Sequence, residues 1–289
     1  MGVNKLASYF NRIEDLKVHC YLCPHNCIIK PGGYGACRAR KNIDGDLYSM
    51  NYARVASLAL DRIEKKPLYR FHPGSMILSA GTFGCNLKCS FCQNWSIAHE
   101  DCETRYISPE ALVGKAKELV RSGNLGIAYT YNEPSIWFEY VIETAKLVKE
   151  KGLFNVMVTN GFISKEPLKD LIPYIDAMNI DVKGYTSDFY NKICKGTLED
   201  VKRTVEYSFG KCHIELTTLV IPELNDAMEQ INDMSEWVAK ISPDIPLHLS
   251  RFFPNYKMQD RPMTPLDTLI RAKETAEKHL KFVYLGNVF

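Results

Sequence analysis

From residue 76 onward the chain alternates between two rhythms. Short apolar runs rich in β-branched residues read as buried strands. Each is followed by a stretch with apolar residues three and four apart, the period of an amphipathic helix. The predicted strands are Met76–Thr82, Leu125–Tyr131, Asn155–Thr159, Ala177–Val182, His213–Ile221, Pro246–Phe252 and Phe282–Gly286. Helix signals lie between them. Ser108-Pro109-Glu110 combines an N-cap serine with a first-turn proline. Pro134 starts a helix that Lys151-Gly152 stops, and Ser164 is placed to cap the next. Thr197–Phe209, Asp226–Ile241 and Pro265–Leu280 complete the set. Strict alternation predicts a parallel sheet with right-handed crossovers. Six or seven such units predict an α/β fold, a partial (β/α)6 barrel of TIM type, with a flat doubly wound sheet as the competing arrangement. A barrel carries its chemistry at the C-terminal ends of its strands.

The first 70 residues lack this rhythm. Residues 1–45 hold glycines, prolines and four cysteines, and 46–60 read as one or two strands. The chain therefore divides into a cysteine-rich segment, 1–70, and a barrel domain, 71–289. The run Glu64-Lys65-Lys66-Pro67-Leu68-Tyr69 leads from one to the other.

With 289 residues, 46% of them apolar, the chain can build one large core and a small appendage. A net charge of +2 with acids and bases interspersed does not demand a nucleic-acid or anionic-membrane partner. No apolar run is long enough to span a bilayer, and Met1–Arg12 lacks the apolar stretch of a signal peptide. The expectation is a cytoplasmic protein. In that reducing setting ten cysteines are not expected to form disulfides, and seven of them fall in two groups, which argues for metal.

The first group is Cys85, Cys89 and Cys92, spaced C-x3-C-x2-C directly after the first predicted strand. Thiolates normally hold all four irons of a cubane cluster. Three close cysteines leave one iron open to a substrate or cofactor.

Polar residues stand at the ends of the other strands. The second ends in Asn132-Glu133-Pro134, where an amide and a carboxylate can accept bonds from an ammonium group or simply cap the next helix. The third ends in Thr159-Asn160-Gly161. On the fourth, Asp181 and Lys183 are two apart and share a face, either as a structural ion pair or as binding groups. On the sixth, His248 and Ser250 share a face and Arg251 follows, placed to hold a carboxylate or stack on a base. His248 reads equally as a satisfied core histidine.

The run Phe83-Gly84-Cys85-x3-Cys89-Ser90-Phe91-Cys92 resembles the signature of radical S-adenosylmethionine enzymes. The resemblance covers residues 76–289. It is strongest to the pyruvate formate-lyase activating enzyme branch, and within it to the AmmeMemoRadiSam system radical SAM enzymes. Cys20-Tyr21-Leu22-Cys23-Pro24-His25-x-Cys27, Ile63-Glu64-Lys65-Lys66-Pro67-Leu68-Tyr69, Tyr131-Asn132-Glu133-Pro134 and His248-x-Ser250-Arg251-Phe252 carry that match. The resemblance implies a [4Fe–4S] cluster on Cys85, Cys89 and Cys92, with S-adenosylmethionine chelating the open iron. One electron then cleaves the S–C5′ bond, and the resulting 5′-deoxyadenosyl radical takes a hydrogen atom from substrate. It also implies a reductant such as ferredoxin or flavodoxin, and in one version a partner protein as substrate. By position it assigns Asn132 and Glu133 to the methionine amine side, and Thr159, Asn160, Asp181 and Lys183 to the methionine carboxylate. His248 and Arg251 fall near the adenosine and Phe91 beside the adenine. One departure stands out. Where activating enzymes carry an aspartate that helps hold a monovalent cation, this chain has Val158, so Lys183 is expected to supply the positive charge.

The second group, Cys20, Cys23, Cys27 and Cys37, has the spacing C-x2-C-x3-C-x9-C with Gly32, Gly33 and Gly35 in the loop. Four thiolates suit zinc or a second iron–sulfur cluster, and the alternative is plain packing. Cys194, just past the fourth strand, is a candidate hydrogen-atom donor or thiyl carrier, again against packing as the alternative. The leading expectation is a radical S-adenosylmethionine enzyme, whether it activates a partner protein or modifies a small molecule or RNA. The competing one is an iron–sulfur electron-transfer protein.

Overall fold

The computed structural model describes residues 5–288. Its centre is one eight-stranded sheet. The strands are β1 (Ser57–Arg62), β2 (Met76–Gly81), β3 (Asn124–Tyr129), β4 (Phe154–Thr159), β5 (Ala177–Asp181), β6 (His213–Val220), β7 (Leu247–Arg251) and β8 (Val283–Gly286). Their spatial order follows the chain, β8-β7-β6-β5-β4-β3-β2-β1. From β2 to β8 every pairing is parallel, as right-handed crossovers require. The connecting helices are α1 (Pro109–Glu118), α2 (Phe138–Glu150), α3 (Lys165–Leu171), α4 (Leu198–Ser208), α5 (Met228–Ile241) and α6 (Leu266–Ala276). This is the partial TIM-like barrel that the alternation predicts.

Local chemistry accounts for the helix ends. Ser108 accepts a bond from the Ala111 N–H and Pro109 opens α1. Gly152 takes φ +67° after α2, a conformation that costs glycine little. Ser164 holds the cap position of α3 but its side chain caps nothing; its N–H instead donates to Leu22 O at 3.0 Å, in the N-terminal segment.

β1 differs from the expectation. It falls within the stretch grouped with the cysteine-rich segment, yet it pairs antiparallel with β2, Ser57 opposite Gly81 and Arg62 opposite Met76. The barrel sheet therefore begins before residue 71. β1 and β8 form the two edges and do not pair with each other. The strap between β1 and β2 spans that gap with side chains. Tyr69 packs on Tyr284 and His248 (centroids 4.9 and 4.8 Å), and the Arg70 guanidinium lies 3.7 Å over Phe282. The Asn179 amide holds the strap by donating to Pro67 O at 2.8 Å.

The remaining N-terminal residues form two three-stranded antiparallel sheets, Lys5–Leu6 with Asp46–Ser49 and Arg40–Ile43, and Phe10–Arg12 with Val18–Cys20 and Cys27–Ile29. They dock on α2 through a buried ion pair. Arg40 donates to Glu139 at 2.6 Å, their side chains 1% and 3% exposed. The Ser8 N–H adds a 2.7 Å bond to the same carboxylate.

Candidate active site

The C-terminal ends of β2–β7, with the strap, line one cavity of 820 Å³. The three cysteines of the first group reach it from the loop after β2. Neighbouring strand ends shape that loop. Asn132 donates to Gly84 O at 2.8 Å and accepts from the Thr82 N–H at 3.1 Å, so both ends of its amide are used on the loop. Asn160 donates to Asn86 Oδ1 at 2.9 Å and leans on the Cys85 sulfur at 3.7 Å. Asn86 in turn donates to Phe162 O at 2.6 Å. Gly84 sits at φ +88° with the Cys37 carbonyl against its Cα, where a methyl group would collide.

Glu133 is almost wholly buried beneath this clamp. Its Oε1 accepts from the Ser135 N–H and the Thr159 hydroxyl, each at 2.8 Å, and its Oε2 accepts from the Asn160 N–H at 2.7 Å. The capping alternative is thus realised, since Glu133 caps the turn beginning at Pro134. Even so, Oε2 carries a single donor and the residue lines the cavity, so one more can be accepted. Burial raises its pKa, and the bonds from Asn160 and Ser135 oppose that.

Asp181 and Lys183 are paired at 2.8 Å, the ion-pair alternative, and both line the cavity. Burial pulls the lysine down, but the Asp181 charge and the Cys89 sulfur beside it outweigh this and hold the ammonium form. Its Nζ stands 5.9 Å from the Phe91 ring. Val158 lines the wall nearby.

The His248 ring lines the cavity, with Nε2 2.6 Å from Glu215 Oε2. It is a core histidine with its partner and a wall residue at once. Glu215, fully buried, also meets His213 at 2.9 Å and accepts from the Tyr69 and Arg70 N–H groups at 3.1 and 2.8 Å. Burial would raise its pKa, but the bonds from His213, His248 and Arg70 bring it down to about 2.

Two predicted residues stand elsewhere. Arg251 is not among the lining residues; its Nε donates to Thr264 O at 2.7 Å, because along β7 it alternates with His248 and Ser250, which take the cavity face. Cys194 is fully buried and also outside the lining, its thiol against Cys89, so no substrate in the cavity meets it. Lys88 and Ser90 N–H groups donate to the carbonyls of Cys194 and Ile193, which makes that segment a floor for the cysteine loop.

The cavity also has a second polar wall, which the strand-end pattern does not announce. Asp61 of β1 accepts from Lys66 Nζ and the Tyr131 hydroxyl, both at 2.9 Å, and all three line the cavity. Burial would raise the Asp61 pKa, but the Lys66 and Tyr131 bonds lower it to about 2. Tyr131 sits at φ +71°, a strained conformation for a bulky residue. Gly81 makes room for it, because a methyl group there would crowd its Cβ at 3.0 Å.

The donor set suits an iron–sulfur group. All three thiols are free, and backbone N–H groups of Leu87 and Asn94 lean on the sulfurs of Cys85 and Cys92. Burial raises the Cys85 and Cys92 thiols, the latter to about 11, and metal binding displaces the proton of a thiol it ligates. Among the described residues no three His, Cys, Asp or Glu side chains are gathered closely enough to share a single ion. A cubane asks for a wider spacing, because each of its cysteines takes a different iron.

A parallel partial barrel whose first strand delivers three free thiols to one cavity defines a class, and comparison with known families agrees. Residues 80–235 match the Radical SAM superfamily model. The chain belongs to the radical SAM superfamily and is an enzyme. It is 44% identical over 289 residues to an uncharacterized protein of Methanocaldococcus jannaschii, covering 98% of this chain and 85% of that one. It is 26% identical over 168 residues to a pyruvate formate-lyase-activating enzyme of Clostridium pasteurianum, covering 55% of this chain and 67% of that one. Among solved structures it is similar to Streptococcus suis SuiB bound to S-adenosylmethionine, with a TM-score of 0.57 and 14% identity over 73% of this chain and 51% of that one. Among the described residues no helix is long and apolar enough to cross a membrane.

Proposed function

We propose that this chain binds a [4Fe–4S] cluster through Cys85, Cys89 and Cys92 and cleaves S-adenosylmethionine reductively, to take a hydrogen atom from a substrate. When bound, the cluster supplies the single electron for that cleavage. The chain's own residues supply position and charge. Glu133 Oε2 accepts from the methionine ammonium. Lys183, held by Asp181, meets the methionine carboxylate and takes the role of a bound cation, with Val158 beside it. Thr159, Asn132 and Asn160 hold Glu133 and the cysteine loop in register. Phe91 and His248 are apolar and aromatic wall for the nucleoside. Bound nucleoside and substrate would keep water from the reacting carbon. The electron comes from a ferredoxin- or flavodoxin-type donor. The likeness to activating enzymes makes a glycyl residue of a partner protein the preferred substrate.

The observation that carries this reading is the cavity itself. Three thiols, a carboxylate with a free acceptor site and a fixed ammonium converge on 820 Å³, room for a nucleoside and a substrate. An electron carrier needs no such space. The test is anaerobic reconstitution with iron and sulfide, then dithionite and S-adenosylmethionine, with chromatography for 5′-deoxyadenosine. Formation of that product, lost on Cys85→Ala, Cys89→Ala or Cys92→Ala, supports the reading. Iron bound stably with no product would overturn it.

A further inference from the structure

We propose that Cys20, Cys23, Cys27 and Cys37 form a second, thiolate-ligated metal centre, seated against the cysteine loop of the cavity. The backbone assembles the donors. Cys20 and Cys27 stand directly opposite each other in an antiparallel pair, and Cys23 lies in the turn that joins them. That turn is tight, with the Asn26 N–H donating to Cys23 O at 3.1 Å and Asn26 at φ +46°. Cys37 comes from the next hairpin, where the Arg38 N–H donates to Gly35 O at 2.9 Å.

Three of the four sulfurs carry a backbone donor from two residues on: Leu22 for Cys20, His25 for Cys23 and Ala39 for Cys37. Cys85 and Cys92 of the first group have the same arrangement, with Leu87 and Asn94. An N–H group at a cysteine sulfur stabilises bound thiolate. Cys20, Cys23 and Cys37 are buried, yet all four cysteines are free although two face each other across a strand pair.

Positive charge accompanies them. The Arg40 guanidinium, 1% exposed, acts on both Cys20 and Cys37, and its Nε has no partner. Lys88, inside the first cysteine motif, acts on Cys85 and Cys37 together and pairs with no carboxylate among the described residues. The Cys37 carbonyl packs on Gly84, next to Cys85. The two groups are thus neighbours. The thiols must turn inward to close on a metal, since they are not gathered at single-ion distance. Zinc and an iron–sulfur cluster share this thiolate chemistry.

The test removes the first group and asks what the second holds. The full chain carrying Cys85→Ala, Cys89→Ala and Cys92→Ala is purified without oxygen. Aliquots are loaded with zinc alone or with iron plus sulfide, desalted and assayed for metal. About one zinc per chain, or iron with matching sulfide and visible absorbance, is expected. The first result assigns zinc and the second a cluster. Adding Cys23→Ser and Cys37→Ser should cut the bound metal at least tenfold. Cobalt titration of the triple variant should give thiolate-to-metal charge-transfer bands, and these still report if the five-site variant fails to fold. Retention below a tenth of an equivalent of either metal by a chain with native circular dichroism, or cobalt bound without thiolate bands, would overturn the proposal.

Discussion

Replacing Glu215 by glutamine removes the one buried charge that four donors share. Its carboxylate is fully buried, and its pKa falls from the usual 4.5 to about 2. A depressed carboxylate contributes stability that is complete above its unfolded value and is lost as pH falls through its folded value. A fall of this size, at about 1.4 kcal/mol for each pH unit, gives roughly 3 kcal/mol at pH 7. Glutamine keeps one acceptor oxygen and turns an NH2 toward either Tyr69 and His248 or Arg70 and His213, donor against donor. We expect Glu215→Gln to lose roughly 3 kcal/mol at pH 7, and thermal unfolding to fall by roughly 5 °C. Circular dichroism melts at pH 7 and pH 4 measure it. The gap should narrow at the lower pH, because the wild type is then losing what the variant has already lost. Equal melting temperatures at pH 7, or a gap that widens toward pH 4, would refute the reasoning.

Asp181→Asn leaves the Lys183 ammonium without its counter-charge and should cost roughly 1–3 kcal/mol by urea denaturation, partly recovered in the double variant with Lys183→Met. Gly84→Ala adds a methyl group at a positive φ against the Cys37 carbonyl; a loss above about 1 kcal/mol is expected, with faster proteolysis near residue 37. Arg251→Ala should leave S-adenosylmethionine affinity unchanged in equilibrium binding, because the side chain serves Thr264 rather than the cavity. Cys194→Ala should retain 5′-deoxyadenosine formation while lowering stability, since the thiol fills space beneath Cys89.

The barrel is legible in the sequence because its rhythm is local. Seven strands fall within two residues of where apolar runs put them, and Ser108 and Gly152 end helices by the chemistry their residue types announce. The strand-end polar residues are legible for the same reason: in a barrel, position along the strand gives position in space. Partnership across distant segments is not. Glu215 is a lone acid in an apolar strand, and its partners come from residues 69, 70, 213 and 248. A signal is present in His213-x-Glu215, since an acid inside a buried strand must be paired. Lys66 and Tyr131 lie within longer motifs, but only the antiparallel placement of β1 brings Asp61 to them. Arg251 departs from its expected place because it follows the inward-facing Ser250 by one residue, and one step along a strand reverses which way a side chain points.

The seam between β1 and β8 has a mechanical consequence. A fully closed barrel can change its girth only by breaking backbone ladders, at a cost shared by every strand. Here no backbone ladder joins the two edges, and the circumference is completed by a tyrosine on a tyrosine and a guanidinium on a phenyl ring. The molecule is hooped rather than welded at this line. Parting the edges there costs side-chain contacts and the strap's bonds to Glu215 and Asn179, but no backbone ladder.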